Sequence, residues 1–190
     1  MLTATKMEQA QSKLEKSLNL APGVTARKEG SDLVLKGPKG EAQKSFASAQ
    51  VEMSIGSDAV KFTIKKNNRN QRRQMNTFLA HIKNMQKGVV EGHHYLLRIC
   101  SGHFPMNVAV TKDELVVKNY VGERVPRSIK IPSGVQVKVN GRDITVDSSN
   151  KDIAGMTASR IEGMTKRANF DKRRFQDGIY IVLKDGKGVR

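Results

Sequence analysis

The chain has 190 residues, a formal net charge of +16 and a sequence pI near 10.1. Its length suits one large domain or two small ones, and 37% hydrophobic with 27% charged residues excludes a disordered chain. No apolar run approaches the ~20 residues of a spanning helix, so the excess of Lys and Arg points to nucleic acid before a membrane.

The N-terminus, Met1 to Leu20, is a polar mix without the apolar centre of a signal peptide. Met7, Ala10, Leu14 and Leu18 fit one stripe of a short docking helix, closed by Ala21-Pro22-Gly23. Leu33-Val34-Leu35-Lys36 reads as a strand followed by the turn Gly37-Pro38-Lys39-Gly40. Val51, Met53 and Ile55 alternate up to Gly56-Ser57-Asp58, and Val60, Phe62 and Ile64 alternate after it, which describes a hairpin with one buried face. A helix is predicted from about Arg69 to Val89. Met75, Phe78, Leu79, Ile82, Met85 and Val89 form its apolar stripe, and Arg69, Arg72, Asn76, Lys83 and Lys87 gather on a second face. No Asp or Glu occurs between Lys65 and Val90, so that face lacks the mixed signs of a helix paired with itself.

The same order of elements returns 82 residues along. Leu115-Val116-Val117-Lys118 stands opposite Leu33-Val34-Leu35-Lys36, and Gly122-Glu123 opposite Gly40-Glu41. At an offset of 84, Val135, Val137 and Val139 match Val51, Met53 and Ile55, with Asn140-Gly141-Arg142 as the turn and Ile144 and Val146 beyond it. A second helix, about Lys151 to Lys166, follows the N-cap cluster Asp147-Ser148-Ser149-Asn150. The period is a small domain's length, too long for a solenoid unit. The fold class is therefore α+β: two tandem copies of a small domain, each a mostly antiparallel sheet packed by one helix. The joint falls near Gly88 to Gly92.

After the second helix come Lys166-Arg167 and then Lys172-Arg173-Arg174, bracketed by Phe170 and Phe175, before the strand Ile179 to Leu183. Basic residues on a loop held between a helix and a strand are well placed to reach phosphates. Six Phe, three Tyr and no Trp are few for base stacking, so phosphate and shape recognition of folded RNA is the expected mode. The Gly-rich tail Lys184 to Arg190 is expected to order only on binding.

Chemistry other than binding finds little support. His93, His94, Cys100 and His103 lie close together, but only Cys100 and His103 form a chelating pair, and adjacent strand residues His93 and His94 point to opposite faces. No metal site follows. Cys100 stands alone, so no internal disulfide can form and a reducing compartment is the natural setting. The glycine pairs lack the spacing of a phosphate-binding loop, and no nucleophile motif with a His and an acid is present. No enzyme and no cofactor are expected.

Several stretches carry a family resemblance: Leu33 to Glu41, Gly102-His103-Phe104-Pro105-Met106-Asn107-Val108, and Val125-Pro126-Arg127-Ser128-Ile129-Lys130-Ile131-Pro132. Together they resemble the universal large-subunit ribosomal protein six family, nine in the older eukaryotic scheme. Phe175-Gln176-Asp177-Gly178-Ile179-Tyr180 and Ala80-His81-Ile82-Lys83-Asn84-Met85 look like its archaeal and eukaryotic branch. His93-His94-Tyr95 departs from the more frequent aromatic and basic pair. The resemblance implies two copies of one α+β fold. It also implies a structural role on large-subunit ribosomal RNA near the stalk base and the sarcin–ricin loop, where translational GTPases dock, with neighbouring large-subunit ribosomal proteins as partners.

The resulting expectations are an N-terminal extension over 1–22, repeat domains over 23–90 and 91–183, and a basic tail over 184–190. The candidate RNA-binding residues are Arg160, Lys166, Arg167, Lys172, Arg173 and Arg174 in the second repeat and Arg69, Arg72, Arg73, Lys83 and Lys87 in the first. The chain is expected to work in cytoplasmic ribosomes, passing through the nucleolus if eukaryotic, without a membrane and not as a homo-oligomer. A free RNA-binding adaptor or assembly factor is the alternative.

Overall fold

The computed structural model describes residues 14–48, 50–56, 59–64, 68–168, 171 and 173–189. The first repeat runs β1 (Leu14–Asn19), β2 (Thr25–Glu29), β3 (Asp32–Gly37), β4 (Gly40–Ser45), β5 (Val51–Ile55), β6 (Ala59–Ile64) and α1 (Arg69–Val90). The second runs β7 (His93–Cys100), β8 (Asn107–Thr111), β9 (Glu114–Lys118), β10 (Arg127–Lys130), β11 (Val135–Asn140), β12 (Asp143–Ser148) and α2 (Lys151–Met164), with β13 (Gly178–Lys184) and β14 (Lys187–Gly188) added after it. In the first repeat the strands form sheets ordered β1-β6-β5 and β2-β3-β4; in the second they form β8-β9-β10 and β11-β12-β7. The two copies thus have one topology, and every described strand pair is antiparallel. The α+β duplication expected from the sequence is present.

Two expectations change. Leu14 to Asn19 is a strand, not the end of a helix. It pairs along β6, Leu14 opposite Ile64 and Leu18 opposite Val60, just as β7 sets His93 opposite Ser148 and Leu97 opposite Ile144. The extension therefore supplies the first repeat's counterpart of β7; Met7 and Ala10 lie outside the described residues. The tail is also part of the fold. β13 lies antiparallel on the free side of β7 and turns through Asp185-Gly186 into β14, with Leu183 opposite Gly188. Asp185 and Gly186 both have positive φ, +52° and +79°. That is the geometry of a two-residue hairpin turn, for which Asp-Gly is a preferred pair.

Each repeat has its own core. In the first, α1 lays Met75, Ile82, Met85 and Val89 against Leu33, Leu35, Phe62 and Ile64, all buried. Phe46, Phe62 and Phe78 meet ring to ring, Phe46 and Phe78 edge-on at 5.2 Å. In the second, α2 turns the small residues Ala154 and Ala158 inward, with Ile161, onto Leu97, Leu115, Ile144 and Val146. Asn150 caps α2 by accepting the Asp152 N–H at 2.9 Å, as the N-cap cluster predicted.

The repeats meet where α1 ends and α2 begins. Ser149 Oγ donates to the Glu41 carbonyl at 3.0 Å, and Lys44 Nζ pairs with Asp152 Oδ2 at 2.5 Å. His93 is buried here and His94 is exposed, as their alternation required. The His93 ring reaches both sides of the joint: Nε2 is 3.0 Å from the Asn84 carbonyl of α1 and Nδ1 is 3.0 Å from Asp185 Oδ1. Lys87 Nζ also lies 3.0 Å from Asp185 Oδ2. Burial raises the Asp185 pKa, but the hydrogen bonds from Lys87 and His93 outweigh it and hold the carboxyl below its ordinary range.

A fragment beginning at Gly92 retains the whole second core and loses only the contacts across the joint. It is expected to unfold cooperatively on heating, at a lower temperature than the full chain. Circular dichroism checks this, and a fragment that stays random coil would show that the second repeat depends on its partner.

Candidate nucleic-acid interface

The described parts of the loop between α2 and β13 are braced at both ends. At the end of α2, Tyr120 Oη donates to the Thr165 carbonyl, and Arg127 Nη1 donates to the Met164 carbonyl at 2.5 Å. Two side chains thus satisfy carbonyls that a helix end leaves open. Arg127 grips Glu123 through two bonds of 2.6 and 2.7 Å, and its guanidinium stands 4.5 Å over the Tyr120 ring. The Arg127 hydrogen bonds hold the Glu123 carboxyl below its usual range. Further along, Asp171 accepts the Arg173 N–H at 2.9 Å, and its carbonyl accepts the Arg174 and Phe175 N–H groups at 3.1 and 2.9 Å. Buried Asp177 accepts the Gly102 N–H and, at 3.3 Å, the His103 N–H, while Ile179 N–H donates to Thr165 Oγ1 at 2.9 Å.

These contacts join stretches that lie far apart in sequence. Gly102 to Val108, Val125 to Pro132 and Phe175 to Tyr180, three of the stretches carrying the resemblance, converge on the C-terminal end of α2. Arg127, a basic residue within one of them, is a structural brace.

The described candidate residues of the second repeat lie on α2 and on the loop that follows it. Arg160 projects from the exposed face of α2; Lys166, Arg167, Arg173 and Arg174 are exposed on the loop. Lys166 lies 3.5 Å from Glu162, Arg167 4.0 Å from Glu123, and Arg173 3.2 Å from Asp171. Pairs whose cation is exposed to water are weak, so a phosphate can displace the carboxylate cheaply. Lys172 and Phe170 lie outside the described residues.

The first-repeat set is separate. Arg69, Arg72, Arg73, Lys83 and Lys87 are exposed on α1, whose first turn carries no acidic residue. Arg69 stands at the far end of α1 from the joint, about 28 Å from Gly88 at 1.5 Å per residue. Lys87 is tied into the joint through Asp185. The structure therefore carries two basic surfaces, one on each repeat. What sequence reasoning missed is a group of exposed rings beside the second surface, His103, Phe104, Phe175 and Tyr180. The signal was available for His103, Phe104 and Phe175, since aromatics and His outside any alternating strand or helical stripe have no core to enter; Tyr180 lies within β13 and only the structure shows it on the exposed side.

Among the described residues no group of His, Cys, Asp and Glu could hold a metal ion, and no helix is long and apolar enough to cross a membrane. A duplicated α+β fold with an exposed basic surface on each repeat defines a structural class. Comparison with known families narrows that class. The model of "Ribosomal protein L6" matches residues 22–92 and 104–178, and the chain belongs to that family. It is similar to large ribosomal subunit protein uL6 of Methanospirillum hungatei, 36% identical over 171 residues that cover 90% of this chain and 97% of that one. The protein of the same name from Ignicoccus hospitalis is 38% identical over 88% of this chain and 93% of its own. That from Methanococcus vannielii is 37% identical over 92% and 96%.

Proposed function

We propose that the chain is a structural constituent of the large ribosomal subunit that binds and stabilises ribosomal RNA near the region where translation factors dock. It works through charge and position, without catalysis. The observation that carries this reading is the family membership over most of the chain, with relatives that bear the name of a large-subunit protein. The two basic surfaces supply the physics. Closely packed phosphates repel one another, and Lys and Arg held on a rigid fold relieve that repulsion while fixing the register. Co-sedimentation with mature large subunits after a high-salt wash tests the reading. A chain found only on precursor particles, or only free, would instead be an assembly factor or adaptor.

The loop of the second repeat is expected to matter more than the start of α1. Replacing Lys172, Arg173 and Arg174 with alanine should reduce the fraction sedimenting with large subunits more than replacing Arg69, Arg72 and Arg73. Arg173 and Arg174 project from a base held by Asp171 and Asp177, and Arg offers fork geometry to phosphate. The α1 set is a real competitor, because a helix start already favours an anion. Neither triplet should unfold the protein, exposed substitutions costing within about ±0.5 kcal/mol. A larger loss from the α1 triplet would move the principal RNA face to the first repeat.

A further inference from the structure

We infer that His103, Phe104, Phe175 and Tyr180 form a platform on which an unpaired base of RNA stacks, its flanking phosphates held by Lys166 and Arg167. This deepens the RNA-binding reading above and rests on it.

The distribution of aromatic rings points there. Phe46, Phe62, Tyr95 and Tyr120 are buried and Phe78 packs on the first core. The other described rings are open to solvent: Phe104 is 41% exposed, Phe175 38% and Tyr180 37%, with the His103 side chain at 52%. All four lie around the α2 end. The His103 and Phe175 rings meet at 5.4 Å with a tilt of 44°. A Cβ on Gly122 would come within 3.4 Å of the Phe104 ring, so that ring lies close against the Gly122 turn. Phe175 and Tyr180 line one cleft with Tyr120, Glu162, Lys166 and Arg167. The cleft holds about 40 Å³, little more than a water molecule needs. A base therefore lies across the rings rather than entering between them.

These rings are also held in place. Asp177 fixes the Gly102–His103 backbone against the start of β13, so both loops present their rings from a rigid base. Little ordering entropy is left to lose when a flat ligand arrives. Charge selects the ligand: Lys166 and Arg167 border the rings, Glu123 is already engaged by Arg127, and the Lys166–Glu162 pair, 3.5 Å apart with its cation exposed, is weak enough to yield to a phosphate. A flat aromatic carried on a polyanion satisfies both features, and stacking on exposed rings is how proteins hold unpaired bases. Phosphate recognition alone has no use for exposed rings in a chain with so few.

The test is ultraviolet crosslinking of the full-length protein bound to large-subunit ribosomal RNA, with the crosslinked peptides mapped, alongside affinity measured at fixed salt. Wild-type protein should carry nucleotides on the segments holding His103–Phe104 or Phe175. The double variant Phe104→Leu, Phe175→Leu keeps apolar bulk and removes the rings. It should lose those crosslinks and about tenfold in affinity, with an unchanged salt slope. Tyr180→Leu, at a site of strand exposure, gives a second reading if the double variant melts early. Salt-dependent binding without these crosslinks, and with full affinity in the variants, overturns the platform and leaves the RNA-binding reading intact. Unchanged RNA binding with lost incorporation into subunits also overturns it, assigning the rings to a protein neighbour. Failure of the wild-type protein to bind the RNA at all removes both.

Discussion

Raising monovalent salt from about 50 to 200 mM is expected to weaken binding to naked large-subunit ribosomal RNA by about 10³–10⁵-fold. The range follows if ~6–10 phosphates are neutralised, each releasing condensed counterions. The chain can supply that number: Lys and Arg outnumber Asp and Glu by 34 to 18. Several candidate residues sit in weak, exposed ion pairs, Arg173 with Asp171 among them. Those pairs exchange a carboxylate for a phosphate, so they lower the affinity at every salt concentration without removing the slope. If Lys83 meets a phosphate, replacing it should reduce the slope by about one. Stacked rings contribute a part that salt does not screen, so some affinity should persist when the fit is extrapolated to ~1 M. The logarithmic plot of affinity against salt checks all three expectations. A flat plot would mean that the basic surfaces do not meet phosphate.

Gly88→Ala is expected to destabilise the protein by about 3 kcal/mol, at the upper end of ordinary overpacking. Helix propensity alone predicts the opposite sign, since alanine is favoured over glycine inside a helix by about 1 kcal/mol. The joint between repeats decides. A Cβ at Gly88 would overlap the Ser149 carbonyl oxygen and come within 2.9 Å of His93 Nε2. Neither neighbour can yield easily. Ser149 is backbone between β12 and α2, and the His93 ring is held by Asn84 on one side and Asp185 on the other. To fit the methyl group α1 must back away from the second repeat, breaking those bonds. Gly163→Ala is the matched control, because a Cβ there meets nothing within 4 Å. It should stabilise by about 0.5–1 kcal/mol. Urea unfolding of both variants reads the difference. Equal midpoints for Gly88→Ala and wild type would show that the repeats are not tightly joined.

Where a hydrophobic pattern has only one reading, it was legible in advance. Met75, Ile82 and Val89 are spaced in sevens, which fits a helical face and no strand, and they are buried as a set. Val60, Phe62 and Ile64 alternate and are buried together on β6. Leu14 and Leu18 were ambiguous, because four residues make both one helical turn and two strand repeats. Only pairing with Val60 and Ile64 chose the strand. The duplication could have chosen it too, since β7 has the same place in the second repeat. The tail was misread for another reason: its charge and glycine content masked Asp185-Gly186, a hairpin signal in its own right.

Charge, repeat and periodicity are local or additive properties, and the chain alone determined them. A basic α+β duplication and two helices with their buried stripes followed from the residues in order. The grouping of the surface was decided only in three dimensions. Asp177 joins loops that are distant in sequence, Arg127 closes the end of α2, and His93 sits between α1 and the C-terminal turn. Each depends on hydrogen bonds whose partners are chosen by how sheets and helices pack. No periodicity along the chain records which distant residues that packing will bring together.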